Sequence, residues 1–149
     1  MKQQSNMRRR GFKNWLPVIA WAGVIFVFST DIFSGSTTGG VIGPLLQKLL
    51  PALSVEAIDL LHLLARKLGH FVEFFVLAAL IMRALRHQSG ENRVALALAL
   101  TVIYAVGDEL HQSMVPSRSA SAMDVLIDVF GGFCGVLWFR LRNRGENTV

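Results

Sequence analysis

What most restricts the folds open to this chain is the spacing of its apolar stretches. Four of them, at about residues 15–30, 68–85, 94–112 and 122–140, approach the roughly 20 residues a helix needs to cross a bilayer. The connectors between them are too short for a separate soluble domain. In hydrocarbon a backbone must satisfy its own hydrogen bonds, which leaves helices for spans of this length. Composition agrees: 52% of the residues are hydrophobic and 17% charged, against roughly a quarter charged in ordinary soluble domains. The sequence therefore predicts an all-α, polytopic membrane bundle of four transmembrane helices plus one amphipathic interfacial helix. Residues 15–141 form the membrane domain, between a basic cytoplasmic arm at 1–14 and a cytoplasmic tail at 142–149.

The first apolar run follows Arg8, Arg9, Arg10 and Lys13, a pattern shared with signal peptides. No small-x-small cleavage pattern follows Ser29, so a retained span is expected. Gly35, Gly39, Gly40 and Gly43 mark residues 31–44 as a loop. Ser54 suits a helix cap with Glu56 in the first turn. Glu56, Asp59, His62 and Arg66 then make one polar stripe and Ile58, Leu61, Leu64 and Ala65 an apolar one, as in a helix lying at a membrane surface. Nothing breaks this segment from the second span, which leaves a single long helix open. Residues 86–92 read as a compact turn, and Pro116 ends the third helix. Gly131 and Gly135, four apart, suit close helix packing in lipid.

A net charge of +5 and a pI near 10.1 are of the kind that nucleic-acid-binding proteins carry, but the basic residues sit at the ends of apolar runs rather than on one solvated face. Nucleic acid is excluded as a partner on that ground. Lys2, Arg8, Arg9, Arg10, Lys13, Arg83, Arg86, Arg93, Arg140, Arg142 and Arg144 fall on one side of a four-span chain; Lys48, Arg66, Lys67 and Arg118 fall on the other. The positive-inside rule then places both termini in the cytoplasm. Cys134 is the sole cysteine, so no internal disulfide forms.

With that orientation, nearly every ionisable residue at membrane depth belongs to the outer half. Arg66, His70 and Glu73 share a face of one helix, Asp108, His111 and Gln112 a face of the next, and Asp124 and Asp128 a face of the last. A carboxylate in hydrocarbon costs at least about 2.5–3.5 kcal/mol, so these helices should converge on a shared polar pocket open to the outside. The expected meeting is of Glu109 or His111 with Asp124 or Asp128, with Arg118 at the intervening turn. Plainer readings stand beside this one: Arg66 and Lys67 as interfacial anchors, His62 in the solvated stripe, Asp124 among headgroups, and Trp15, Trp21 and Trp138 as interfacial aromatics. His70, Glu73, Glu109 and His111 are metal-ligand types, yet no specific metal pattern is present, so no metal and no cofactor is assigned. No strained serine elbow and no glycine-rich phosphate loop appears. Arg118 and Lys67 suit an anionic ligand.

Three stretches resemble the VanZ-like family of small bacterial membrane proteins. Arg66-Lys67-Leu68-Gly69-His70-Phe71-Val72-Glu73-Phe74-Phe75 is similar to its Lys-x-x-His-Phe-x-Glu block. The stretch from Asp108 to Arg118 is similar to Asp-Glu-x-His-Gln-x-x-Val-Pro-Gly-Arg, with Ser117 replacing the glycine. The stretch from Asp124 to Gly131 is similar to Asp-x-x-x-Asn/Asp-x-x-Gly. The resemblance spans residues 66–135 and implies a site at Lys67, His70, Glu73, Glu109, His111, Gln112, Arg118, Asp124 and Asp128. The family takes its name from a member associated with glycopeptide (teicoplanin) resistance, and most members have no established activity. The expectation is a cell-envelope protein of the bacterial cytoplasmic membrane that binds a polar lipid headgroup or wall precursor, with membrane lipids as its partners. The alternative is a membrane-embedded hydrolase or transferase acting on such a headgroup, with His70 or His111 as base. A transporter is disfavoured because the inner half has no matching polar residues.

Overall fold

The computed structural model describes residues 2–30, 45, 47–49, 52–88, 90–116 and 121–145. Arg118 and the loop at 31–44 lie outside them. Four helices carry the fold: α1 (Lys2–Phe28), α2 (Val55–Ala84), α3 (Gly90–Ser113) and α4 (Ala122–Gly145). No strand occurs among the described residues. The basic segment expected as an arm continues α1 backwards to Lys2; its Lys, Gln, Arg and Met are good helix formers. The amphipathic segment is not a separate element. It forms the first turns of α2, which begins at the Ser54 cap, where the hydroxyl accepts from the Ala57 N–H.

α2 is the central helix, packed against each of the other three. Its buried residues His70, Phe74, Leu77, Ala78, Ile81 and Met82 recur at helical spacing and make one continuous stripe. Val18 and Ile25 of α1, Ala97 and Ala105 of α3, and Val136 of α4 complete the apolar core. The α2–α4 contact is the most extensive. Gly131 and Gly135 lie directly on the backbone of Phe71 and Phe75, and a Cβ at either would collide with a carbonyl oxygen. The pairs 71/131 and 75/135 advance together, so α2 and α4 run in the same direction. At the opposite end from Ser54, Arg93 donates from Nε and Nη2 to the Met82 carbonyl, at 2.7 and 2.5 Å. That carbonyl lies in the last turn of α2, where helix acceptors lack intrahelical donors. The same guanidinium lies 4.8 Å from the Phe139 ring, tying the α2–α3 turn to α4.

Two helices, Glu91–Ser113 and Ala122–Asn143, are long and apolar enough to cross a membrane; Lys13–Phe28 is a shorter apolar helix. Four spans are therefore not all met by this measure, because α2 carries Arg66, Lys67, Glu73 and Arg83 along its length. Besides its apolar core, the bundle exposes many large hydrophobic side chains and buries several polar ones. α4 turns Asp124, Asp128 and its glycines inward while Met123, Leu126, Phe130, Phe133 and Leu137 are exposed. α3 buries Thr101, Asp108, Glu109 and Gln112 while Leu96, Val102, Ile103 and Leu110 are exposed.

Candidate functional site

Apart from Thr101, the buried polar residues among those described gather at one end of the bundle, where α1 and α3 finish, α4 starts and α2 passes. Two layers are distinguishable. At the rim, Asp124 in the first turn of α4 accepts from Lys67 Nζ at 2.8 Å and from Arg66 Nη2 at 3.2 Å. The carboxylate is buried; the two cationic side chains remain 30% and 32% exposed. Arg66 and Lys67, read from the sequence as interfacial anchors, thus also pair with a buried carboxylate. Both cations converge on this one buried carboxylate.

One turn deeper, His70 Nδ1 and Asp128 Oδ1 lie 3.1 Å apart, both buried. Helical spacing dictates this pairing. Residues 66 and 70 on α2 run alongside 124 and 128 on α4, so one register supplies both contacts. Beside them, Asp108 of α3 accepts from the Ser29 hydroxyl at 2.5 Å and from Gln112 Nε2 at 2.8 Å. Gln112 Nε2 also reaches Ser29 Oγ at 3.3 Å, which joins α1 to the network. Ligand atoms of His70, Asp108 and Asp128 lie within 4.8 Å of one another, close enough to hold a metal ion. Among the described residues, Asp128 Oδ2 and Gln112 Oε1 are buried with no hydrogen-bond partner.

The remaining expected residues are placed differently. Glu109 Oε1 accepts from the backbone N–H of Ser121, clasping the entry to α4, and its other oxygen is buried without a partner among the described residues. His111 packs against Phe26 of α1, the rings tilted by 32° with centroids 4.5 Å apart, and its Nδ1 has no partner among the described residues. Glu73 is half-buried one turn beyond His70, and its backbone carbonyl accepts from Trp21 Nε1 at 2.9 Å. Arg118 falls outside the described residues. Among the described residues, the α3 carboxylate grouped with Asp128 is Asp108, while Glu109 reaches the entry to α4 at Ser121. Helical spacing puts Asp108 on the face of Gln112, which is the signal that could have found it. Ser29, at the end of an apolar run, carries no such signal.

No curated protein and no solved structure matches the chain. A family model, described as VanZ/LLP1, matches residues 14–143. That range contains every residue of both layers, including Ser29 and Asp108, so the chain belongs to the VanZ/LLP1 family.

Proposed function

We propose that this is a four-span protein of the bacterial cytoplasmic membrane, with both termini inside, whose outward polar end binds an anionic lipid headgroup or wall precursor. The many large apolar side chains left exposed on α3 and α4 support the membrane placement. Only 28% of the span window in α3 and 33% of that in α4 is buried, unlike the core helices of a soluble protein. Helices that hide Asp, Gln and Thr and present Leu, Ile and Phe suit a lipid solvent. In α2 the charges fall between Glu56 and Glu73, toward the proposed outer surface, and at Arg83 toward the inner.

The observation that carries the binding reading is the Arg66–Lys67–Asp124 cluster. Its two cationic side chains, partly exposed, sit at the accessible rim, beside an apolar exterior that would keep a lipid's chains in place. Arginine and lysine together suit a phosphate oxygen fan. The test is native mass spectrometry of the chain released from nanodiscs of phosphatidylcholine doped with phosphatidylglycerol. Wild type should retain the anionic lipid, and the double variant Arg66→Ala, Lys67→Ala should retain about tenfold less. Equal retention would remove the reading. A link to glycopeptide susceptibility is tested in the same pair: expression of wild type should alter teicoplanin susceptibility, and the double variant should not.

The hydrolase or transferase reading is favoured by one observation, the His70–Asp128 pair, which has the spacing of a general base held by an orienting carboxylate. It requires headgroup turnover that His70→Ala abolishes.

A further inference from the structure

We propose that His70, Asp108 and Asp128, with Gln112 beside them, form a divalent-cation site suited to Mn²⁺ or Zn²⁺. The three donors come from α2, α3 and α4, and their ligand atoms lie within 4.8 Å of one another. Two ligands bound at about 2.1 Å to one ion stand roughly 3–3.4 Å apart, so the 3.1 Å between His70 Nδ1 and Asp128 Oδ1 already matches one edge of a coordination shell. An independent observation points the same way. Asp128 and Gln112 are both 0% exposed, and each leaves one oxygen, Oδ2 and Oε1, without a hydrogen-bond partner among the described residues. The Gln112 carboxamide is held next to Asp108 by its Nε2 donation to that carboxylate.

Charge supplies the reason for a cation. Two buried carboxylates face a single imidazole, while Arg66 and Lys67 are engaged with Asp124 at the rim. A divalent ion balances both carboxylates at once. One imidazole among oxygen donors favours Mn²⁺ or Zn²⁺ over a Ca²⁺ site built of oxygens alone. Ser29 and the Gln112 amide hydrogen-bond Asp108, which is how outer groups hold a ligating carboxylate in place.

The test uses the purified full chain in detergent, stripped with EDTA and dialysed separately against Mn²⁺, Zn²⁺, Mg²⁺ and Ca²⁺. Metal content and the thermal midpoint are read. Wild type should retain about one equivalent of Mn²⁺ or Zn²⁺ with a raised midpoint. Asp108→Asn and Asp128→Asn should each bind at least about tenfold more weakly; Asp59→Asn, on the exposed part of α2, should bind as wild type does. Retention of no ion, or equal retention by wild type and both variants, overturns the proposal. Should those variants fail to fold, Mn²⁺ on the wild type is examined by electron paramagnetic resonance. Coupling to one imidazole nitrogen is expected, and a shell of oxygen ligands alone overturns the site. No lipid ligand enters this assay, so it stands or falls separately from headgroup binding.

Discussion

Asp124 and Asp128 stand one turn apart on α4, and their burial is similar, but their partners differ. Asp124 faces two cations that reach solvent, so Asp124→Ala leaves charges able to rehydrate and should cost about 1 kcal/mol. Asp128 faces buried His70, and removing one member of a buried pair costs about 3–5 kcal/mol. Denaturant unfolding in detergent should therefore rank Asp128→Ala well below Asp124→Ala. Asp128→Asn keeps an acceptor for His70 and should fall between wild type and Asp128→Ala; equal losses for all three variants would contradict the assignment. Spacing within single helices makes the 66/70 and 124/128 registers legible in the sequence, because one α2 face and one α4 face suffice. The third member is harder to read. Asp108 and His111 share a face by spacing, yet the turn of α3 against α1 sends His111 to Phe26 and Asp108 to the cluster. That rotation is decided by packing, which no single helix encodes.

The helices explain how the polar layers are held in register. α4 lies on α2 through glycines, so Gly131→Ala and Gly135→Ala must separate two backbones and should each destabilise by about 1–3 kcal/mol. Gly107→Ala meets nothing within 4 Å and gains helix propensity, up to about 1 kcal/mol, so it should be neutral or stabilising. Thermal unfolding of the three variants separates packing from propensity. The Gly131/Gly135 spacing is readable in sequence, whereas its partner, the Phe71 and Phe75 backbone, is not. At the far end, Arg93→Ala loses two charged hydrogen bonds to Met82 and the Phe139 contact, at about 1.5–3 kcal/mol. Arg93→Lys should recover only part, lacking the fork. Charge counting reads Arg93 as an inside marker; its capping of α2 is visible only once the turn is folded. At the Ser54 end, Glu56 is held below its ordinary pKa of 4.5 by its own backbone N–H and the Ser54 hydroxyl. A depressed folded pKa adds stability above the unfolded value and loses it as pH falls through the folded one. The start of α2 should fray on acidification below about pH 4.5 in wild type and show no such acid step in Glu56→Gln, read by amide exchange at Ala57 and Ile58.

At the scale of the whole molecule, the arrangement is a bundle with buried polar residues at one end, an apolar core beneath them and many large apolar side chains outside. The helix content and the single-domain organisation follow from the apolar runs. The continuity of the amphipathic segment with α2 follows from the absence of any breaker between Ser54 and Leu85. The span count is less directly legible, since the charges that build the site are the same ones that lower the hydropathy of α2. The central claim is that the bundle crosses the membrane with its polar end outward. Cysteines placed by Ala52→Cys, before α2, and Gln88→Cys, in the α2–α3 turn, both at exposed positions, test it on a Cys134→Ala background. In intact cells a membrane-impermeant maleimide should label position 52 at once and position 88 only after permeabilisation. Labelling of position 88 in intact cells, or labelling of both positions only after lysis, would contradict the account.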